Sequence, residues 1–304
     1  MKLIALLIGL VVERLATQLF HLRELRWLDR VIDLGFRQVD RFANWPALIP
    51  VIVLAVILVL PIFLVVFGLG DALFGFPYLI LAIVVLFFSL GPKDISEDVD
   101  EYCRALEGED ENAIHRTARA LAERELPSDP MECIQKVEEA VCVQANNRFF
   151  AVIFWFVVLG PFGAWSYRVT DLIRRRAVFN AARDEAGEPG TADMVLEAAG
   201  QLHGWLAWVP ARLTAIGYAM AGSFEGALSA WRTPEGSTAT TQREHSEELL
   251  ARVGVGALAL QPRQDESVSE RGVRGATAAN GLVFRLLFIW AAVIAAMTLY
   301  GWSV

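Results

Sequence analysis

Four charged or chain-breaking residues stand where an apolar chain would rather have none. Pro210 and Arg212 lie in WVPARLTAIGYAMAG, residues 208–222, and Glu13 and Arg14 follow ten apolar residues near the start of the chain. An ionisable side chain at membrane depth costs about 2.5–3.5 kcal/mol on insertion scales, so each such residue is a candidate for function. A guanidinium held in apolar surroundings suits a carboxylate or phosphate. Pro210 removes a backbone donor, and irregular backbone at that depth is tolerated only where it is buried or lines a polar space. The expectation is therefore a pocket in which Arg212 faces the interior, with Glu13 within reach of it. Asn146 and Asn147, just before another apolar run, are further candidates. Each has a plainer reading: Glu13 and Arg14 as a helix end at the interface, Arg212 as half of a structural ion pair, and the asparagines as caps or headgroup contacts.

No general catalytic motif accompanies these residues, so catalytic residues and cofactors stay unassigned. A phosphate loop, a dinucleotide fingerprint and H-E-x-x-H are all absent, and His21, His115, His203 and His245 are far apart in sequence. No metal site is expected. Cys103, Cys133 and Cys142 form no CxxC pair and read as reduced thiols.

The surrounding elements read as membrane helices. The hydrophobic fraction is 55% and the mean hydropathy +0.42, too apolar for a soluble domain of 304 residues. Uncharged runs occur at residues 47–69, 72–91, 149–167 and 286–304, and about 20 apolar residues cross a bilayer as a helix. The fold class expected is all-α: a polytopic membrane protein with about four to six membrane-embedded helices and a small helical soluble subdomain.

Five segments follow. Residues 1–91 hold a membrane helix, a basic amphipathic helix and a membrane hairpin; 92–148 form an acidic helical subdomain; 149–231 carry further membrane helices; 232–280 are a polar connector; and 281–304 are a final span. In the basic helix Leu22, Leu25, Leu28, Val31, Gly35, Val39 and Phe42 recur at three- and four-residue spacing, with arginines between them, as suits an anionic membrane surface. Residues 94–147 carry 15 acids and 5 bases, which exceeds the excess of the whole chain, net −8, and argues against a nucleic-acid partner.

Orientation is contradictory. The positive-inside rule places both the basic helix and the Arg168–Arg176 cluster in the cytoplasm. The acidic segment between them is expected on that same side, yet one apparent span separates it from the second cluster. Three arrangements answer this: the 149–167 run turns back at LGPFG, an additional crossing exists, or the rule fails.

WVPARLTAIGYAMAG resembles the P-A-R-L-T-A helix shared by the AmpE membrane proteins and the adenosylcobinamide-phosphate synthases of cobalamin assembly, CbiB or CobD. LLIGLVVERL, NNRFF with GPFGAWSYR, and the terminal MTLYGWSV are similar to AmpE in particular, and the likeness covers nearly the whole chain. It adds Tyr167 and Arg168 to the candidate ligand-binding set of Glu13, Arg14, Asn146, Asn147, Pro210 and Arg212. The resemblance implies an inner-membrane, multi-pass protein of a Gram-negative bacterium, linked to β-lactamase induction and to the AmpD amidase of cell-wall recycling. Its partners would be the lipid bilayer and a small anionic ligand or nucleotide. The synthase side of the likeness implies an ATP-dependent, amide-forming membrane enzyme instead. Against it, QANNRFF lacks the carboxylates that the synthases carry there.

Overall fold

The structure, a computed structural model, describes residues 25–39, 46–68, 76–90, 94–123, 126–184, 191–232 and 241–300. Glu13 and Arg14 lie outside them, as do Leu22 and Phe42. The described residues are helical, with no strand among them. The elements are α1 (Arg26–Val39), α2 (Leu48–Gly68), α3 (Phe76–Ser89), α4 (Ile95–Glu107), α5 (Glu111–Ala122), α6 (Pro130–Ala145), a π-helical turn (Asn146–Phe150), α7 (Ala151–Leu159), α8 (Pro161–Asp184), α9 (Thr191–Ala221), α10 (Phe224–Arg232), α11 (Gln242–Leu258) and α12 (Val268–Leu299).

Aspartates start the acidic helices. Asp94, Asp110 and Asp129 accept from the backbone N–H of Ser96, Ala113 and Glu132 at 2.9–3.1 Å. Each satisfies a donor that the first helical turn leaves open. Pro130 follows Asp129 at the first helical position, where its missing N–H costs nothing.

Among the described residues, three helical stretches are long and apolar enough to cross a membrane: Leu48–Gly68, Pro130–Leu159 and Val268–Leu299. Their burial separates them. Only 22% of the apolar window of the first and third is buried within the protein, against 78% for the second. The apolar residues of α6 and α7 therefore serve a protein core, whereas α2 turns Val53, Val56, Ile57, Leu60 and Leu64 outward.

The α7 helix continues α6 through the π turn and stops after nine residues, about 13 Å at 1.5 Å per residue. That is less than half of a hydrocarbon core about 30 Å thick. Gly160 then takes φ 69°, Pro161 opens α8, and the chain turns back at LGPFG. A Cβ on Gly163 would collide with the Trp155 carbonyl, so only glycine lets α8 lie this close to α7. Of the three arrangements, the structure has the returning hairpin. It brings the arginines of α8 back to the acidic helices.

Two expectations change in detail. The runs forming α2 and α3 pack mainly on α8, which lies between them, and less on each other. The 232–280 stretch, expected as a partly helical connector, carries α11, which packs between α6, α9 and α10, and α12 already begins at Val268. The buried faces of these two helices are rich in small or polar residues, Ser246, Glu247, Ala251 and Gly254 in α11 and Gly272, Gly275, Ala276 and Ala279 in α12. Close approach replaces apolar bulk there, and the hydropathy signal is weak.

Pro210 sits inside α9 and is buried. It has no N–H for the Leu206 carbonyl four residues back, and Trp155 Nε1 of α7 donates to that carbonyl at 3.0 Å. Trp165 Nε1 likewise donates to the Leu58 carbonyl at 3.1 Å, one residue beyond the carbonyl that Pro61 leaves without a helical donor. Trp155→Phe should cost about 1–3 kcal/mol, the penalty of an unsatisfied buried carbonyl, and distinctly less in a Pro210→Ala background, where the helix supplies its own donor. Thermal melting of the four proteins of this cycle in detergent checks it; strict additivity would sink the assignment.

Candidate functional site

The π turn places three successive polar side chains in the interior: Asn146, Asn147 and Arg148 are 0%, 4% and 5% exposed. A single π turn within an α-helix adds a residue to the register and recurs at functional sites. Thr214 Oγ1 of α9 donates to Asn146 Oδ1 at 3.0 Å. Asn146 Nδ2 and the Tyr167 hydroxyl both donate to Asn147 Oδ1 at 3.3 Å. Arg148 reaches α4 and donates to Asp98 at 2.7 Å, in a pair that is buried at both ends.

Beside this layer, α8 buries the carboxylate of Asp171 completely. Arg168 Nη1, Arg174 Nη2 and Arg175 Nε donate to it at 2.9, 2.8 and 2.9 Å. Positions i−3, i+3 and i+4 lie on one helix face, so RVTDLIRRR can close this cluster within a single helix. Glu123, at the end of α5, accepts from Arg174 Nη2 at 3.2 Å and forms an ion pair with Arg175 Nη1 at 3.0 Å. His203 of α9 lies against the Tyr167 ring, with its Nε2 3.9 Å from Asp171, beyond hydrogen-bond range. Burial opposes the ionisation of Glu123, but Arg175 and Arg174 overcome it and hold its carboxyl at about 2. Among the described residues no three His, Cys, Asp or Glu side chains gather as a metal site would need.

A cleft of about 790 Å3 opens beside the centre between α5, α6, α8 and α11. Glu123, Gln144, Asn147, Arg174, Arg243 and Glu247 are among its lining residues.

Asn146, Asn147, Tyr167 and Arg168 are thus brought together. Arg212 is not part of this group. The inner face of α9 at that level is made by Ala211, Thr214, Ala215 and Tyr218, and Arg212 falls beside it, half-buried. Its side chain runs back towards the helix N-terminus, as helical side chains do. The guanidinium carbon rests 4.0 Å from the Trp208 ring centroid, and Nη1 donates to the Trp208 carbonyl at 3.0 Å. The expected inward-facing Arg212 is corrected on this geometry, and the carbonyl freed by Pro210 is taken by Trp155, so neither residue faces the cleft. Glu13 and Arg14 lie outside the described residues.

Asp171, Glu123, Gln144 and Thr214 were not singled out from the sequence. One signal was available for the first: a lone acid among arginines at i−3, i+3 and i+4 is spaced to be neutralised by them.

These features define a class: a helical membrane protein whose core holds a charge-compensated polar centre opening on a cleft. The whole chain, residues 1–304, matches the family described as regulatory signalling modulator protein AmpE, and the chain belongs to that family. It is 28% identical over 317 aligned positions to Protein AmpE of Shigella flexneri, covering 99% of both chains. About half of it is similar to two proteins named cobalamin biosynthesis protein CobD. The one from Stutzerimonas stutzeri (strain A1501) is 29% identical over 152 residues, 50% of this chain and 48% of that protein. The one from Chromobacterium violaceum is 26% identical over 156 residues, 51% and 47%. No solved structure matches.

Asp171→Asn leaves the buried Arg168 and Arg174 and the partly buried Arg175 short of a counter-charge. A loss of about 3–5 kcal/mol is expected, the range for breaking a buried ion pair from one side, with part recovered when Arg168→Met is added. Thermal melting in detergent reads both, and a loss below about 1 kcal/mol would show that Asp171 does not neutralise the cluster.

Glu123 gives a pH signature. Its folded carboxyl titrates near 2, against about 4.3 in an unfolded chain. A depressed carboxyl stabilises fully above the unfolded value and loses that contribution as the pH falls through the folded one. Glu123→Gln should therefore flatten the fall in melting temperature between about pH 5 and pH 2.5. A profile with the wild-type slope would show that Glu123 contributes none of it.

Proposed function

We propose that this protein is an inner-membrane, multi-pass regulatory component of a Gram-negative bacterium. It modulates β-lactamase induction, is functionally linked to the AmpD amidase of cell-wall recycling, and acts by binding a ligand or partner at the Asp171 centre. The AmpE family description supports the regulatory part. The observation that carries the site is the cluster of Arg168, Asp171, Arg174 and Arg175 beside an open cleft. Burying the charges of Arg168, Asp171 and Arg174, with Arg175 and Glu123 partly buried beside them, is a poor route to stability, since apolar residues of like volume often do as well or better. Their presence points to use.

β-Lactamase induction in cells carrying the variant in place of the wild-type gene tests this, with membrane abundance measured in parallel. Arg175→Gln should change the induction ratio at least about fivefold, an effect worth about 1 kcal/mol at the site. Arg285→Ala should leave it unchanged, since Arg285 is exposed and donates only to the Gly281 carbonyl of its own helix. Equal ratios for the two variants at equal abundance would remove the reading.

A second reading is a membrane enzyme of the amide-forming kind. It draws on the similarity of half the chain to the two CobD proteins. Amide formation between cobyric acid and an aminopropanol derivative by the purified protein and ATP would support it over the regulatory reading.

A further inference from the structure

We propose that Glu123 occupies the seat of a dianionic group, a phosphomonoester or two adjacent carboxylates, carried by a small soluble ligand that enters the cleft and displaces Glu123 from Arg174 and Arg175. The inference rests on the reading of the Asp171 centre as a ligand site and names the ligand's chemistry.

Glu123 differs from Asp171 in ways that suit a placeholder. Asp171 comes from the same helix as its arginines and has no exposed surface. Glu123 comes from the end of another helix, at a residue with φ 52°, and its side chain is 23% exposed at the cleft. It holds Arg174 Nη2 at 3.2 Å, while Asp171 holds the same atom at 2.8 Å. The looser, outer carboxylate is the one an incoming anion meets first.

Unspent hydrogen-bonding capacity surrounds this seat. Arg174 Nε and Arg175 Nη2 are buried without a partner. Gln144, 4% exposed and lining the cleft, keeps an unpartnered Oε1. Buried polar atoms of this kind carry a cost that a ligand can relieve. The two arginines call for more acceptor oxygens than one carboxylate offers, and the Gln144 acceptor calls for an O–H or N–H beside the anion.

Charge sets the valence. Arg168, Arg174 and Arg175 against Asp171 and Glu123 leave one positive charge, and the loss of Glu123 leaves two. The neighbouring Arg148–Asp98 and Arg243–Glu247 pairs are each neutral, as are the Lys136–Glu139 and Arg252–Glu248 pairs on the cleft wall. Glu244, the remaining charge among the described lining residues, is exposed to solvent and accepts from the Thr241 N–H of its own helix start. A phosphomonoester carries about −1.5 to −2 near pH 7 and offers three oxygens. It neutralises the vacated centre; a single carboxylate restores only the present state.

The test uses the full chain in phosphatidylcholine nanodiscs, titrated calorimetrically with inorganic phosphate, malonate and acetate, with melting curves for every variant. Glu123→Gln should bind phosphate and malonate at least about fivefold more tightly than wild type, because the internal competitor is gone. Acetate should show no binding over the same range. Glu139→Gln removes another cleft carboxylate that is not on the arginines, and should leave the affinities unchanged; an equal gain there would overturn the displacement. Arg175→Gln should abolish binding in a protein that still melts cooperatively. No binding of either dianion to Glu123→Gln, or binding weaker than wild type, overturns the proposal. Competition by phosphatidylglycerol in the disc would assign the seat to a lipid headgroup and overturn the soluble ligand. If dianions fail to bind while induction still depends on Arg175, this inference falls and the regulatory reading stands; if they bind while induction ignores Arg175, the reverse holds.

Discussion

A carboxylate without exposed surface must be met by cations or lose its charge, and Asp171 is met by three. Much of the fold follows from that requirement. Three arginines around one acid overshoot by two charges, so α8 needs a further anion and takes Glu123 from α5. The next arginine along, Arg176, takes Asp33 from α1 with two hydrogen bonds. One helix therefore ties the amphipathic helix on one side and the acidic helices on the other through charges it must neutralise. The apolar half of the same helix fills the space between α2 and α3.

That arrangement is possible only because the chain turns at Gly160. Had α6, α7 and the following residues run straight through a bilayer, the arginines of α8 would lie a membrane's thickness from the acidic segment, and two opposite charge clusters would each be without a counterpart. Turning back after nine residues of α7 puts Arg174 and Arg175 of α8 against Glu123 at the end of α5 at contact distance. The conflict in the positive-inside count comes from treating an apolar run of 19 residues as a crossing. Half of that run is α7 and half is the start of α8, and each half alone is too short to span.

The sequence displays what depends on local pattern. Helices, the Asp129 cap of α6, the apolar spans and the polar character of Asn146, Asn147, Tyr167 and Arg168 are all legible, because each is written within a few residues. What depends on pairing across the fold is not. Gln144 and Glu123 look like ordinary surface residues of an acidic, soluble segment, and only the approach of α8 and α11 makes them part of a buried centre. The core position of α11, within a connector expected to be partly helical, is less legible for a related reason: its packing relies on glycine and alanine, so the hydrophobic period that marks a core helix is weak there. The π turn is hidden too, since no residue preference in NNRFF distinguishes it from α-helix.

The stretch that first suggested a pocket shows why depth and oddity alone do not locate one. Pro210 and Arg212 are unusual for an apolar helix, yet both are settled by neighbours: Trp155 takes the carbonyl that Pro210 frees, and Trp208 takes the guanidinium by stacking and through its carbonyl. Polar demand there is matched to supply. At the Asp171 centre it is not, because Arg174 Nε, Arg175 Nη2 and Gln144 Oε1 keep unmatched atoms although the net charge is nearly balanced. A residue kept for docking helices is expected to be satisfied in the resting fold, whereas a residue kept for a ligand is satisfied when the ligand arrives. By that criterion the P-A-R-L helix, which carries the resemblance to both AmpE and the synthases, contributes architecture at Pro210 and Arg212. Its contribution to the polar centre comes through Thr214 and His203, on the face that Arg212 does not share.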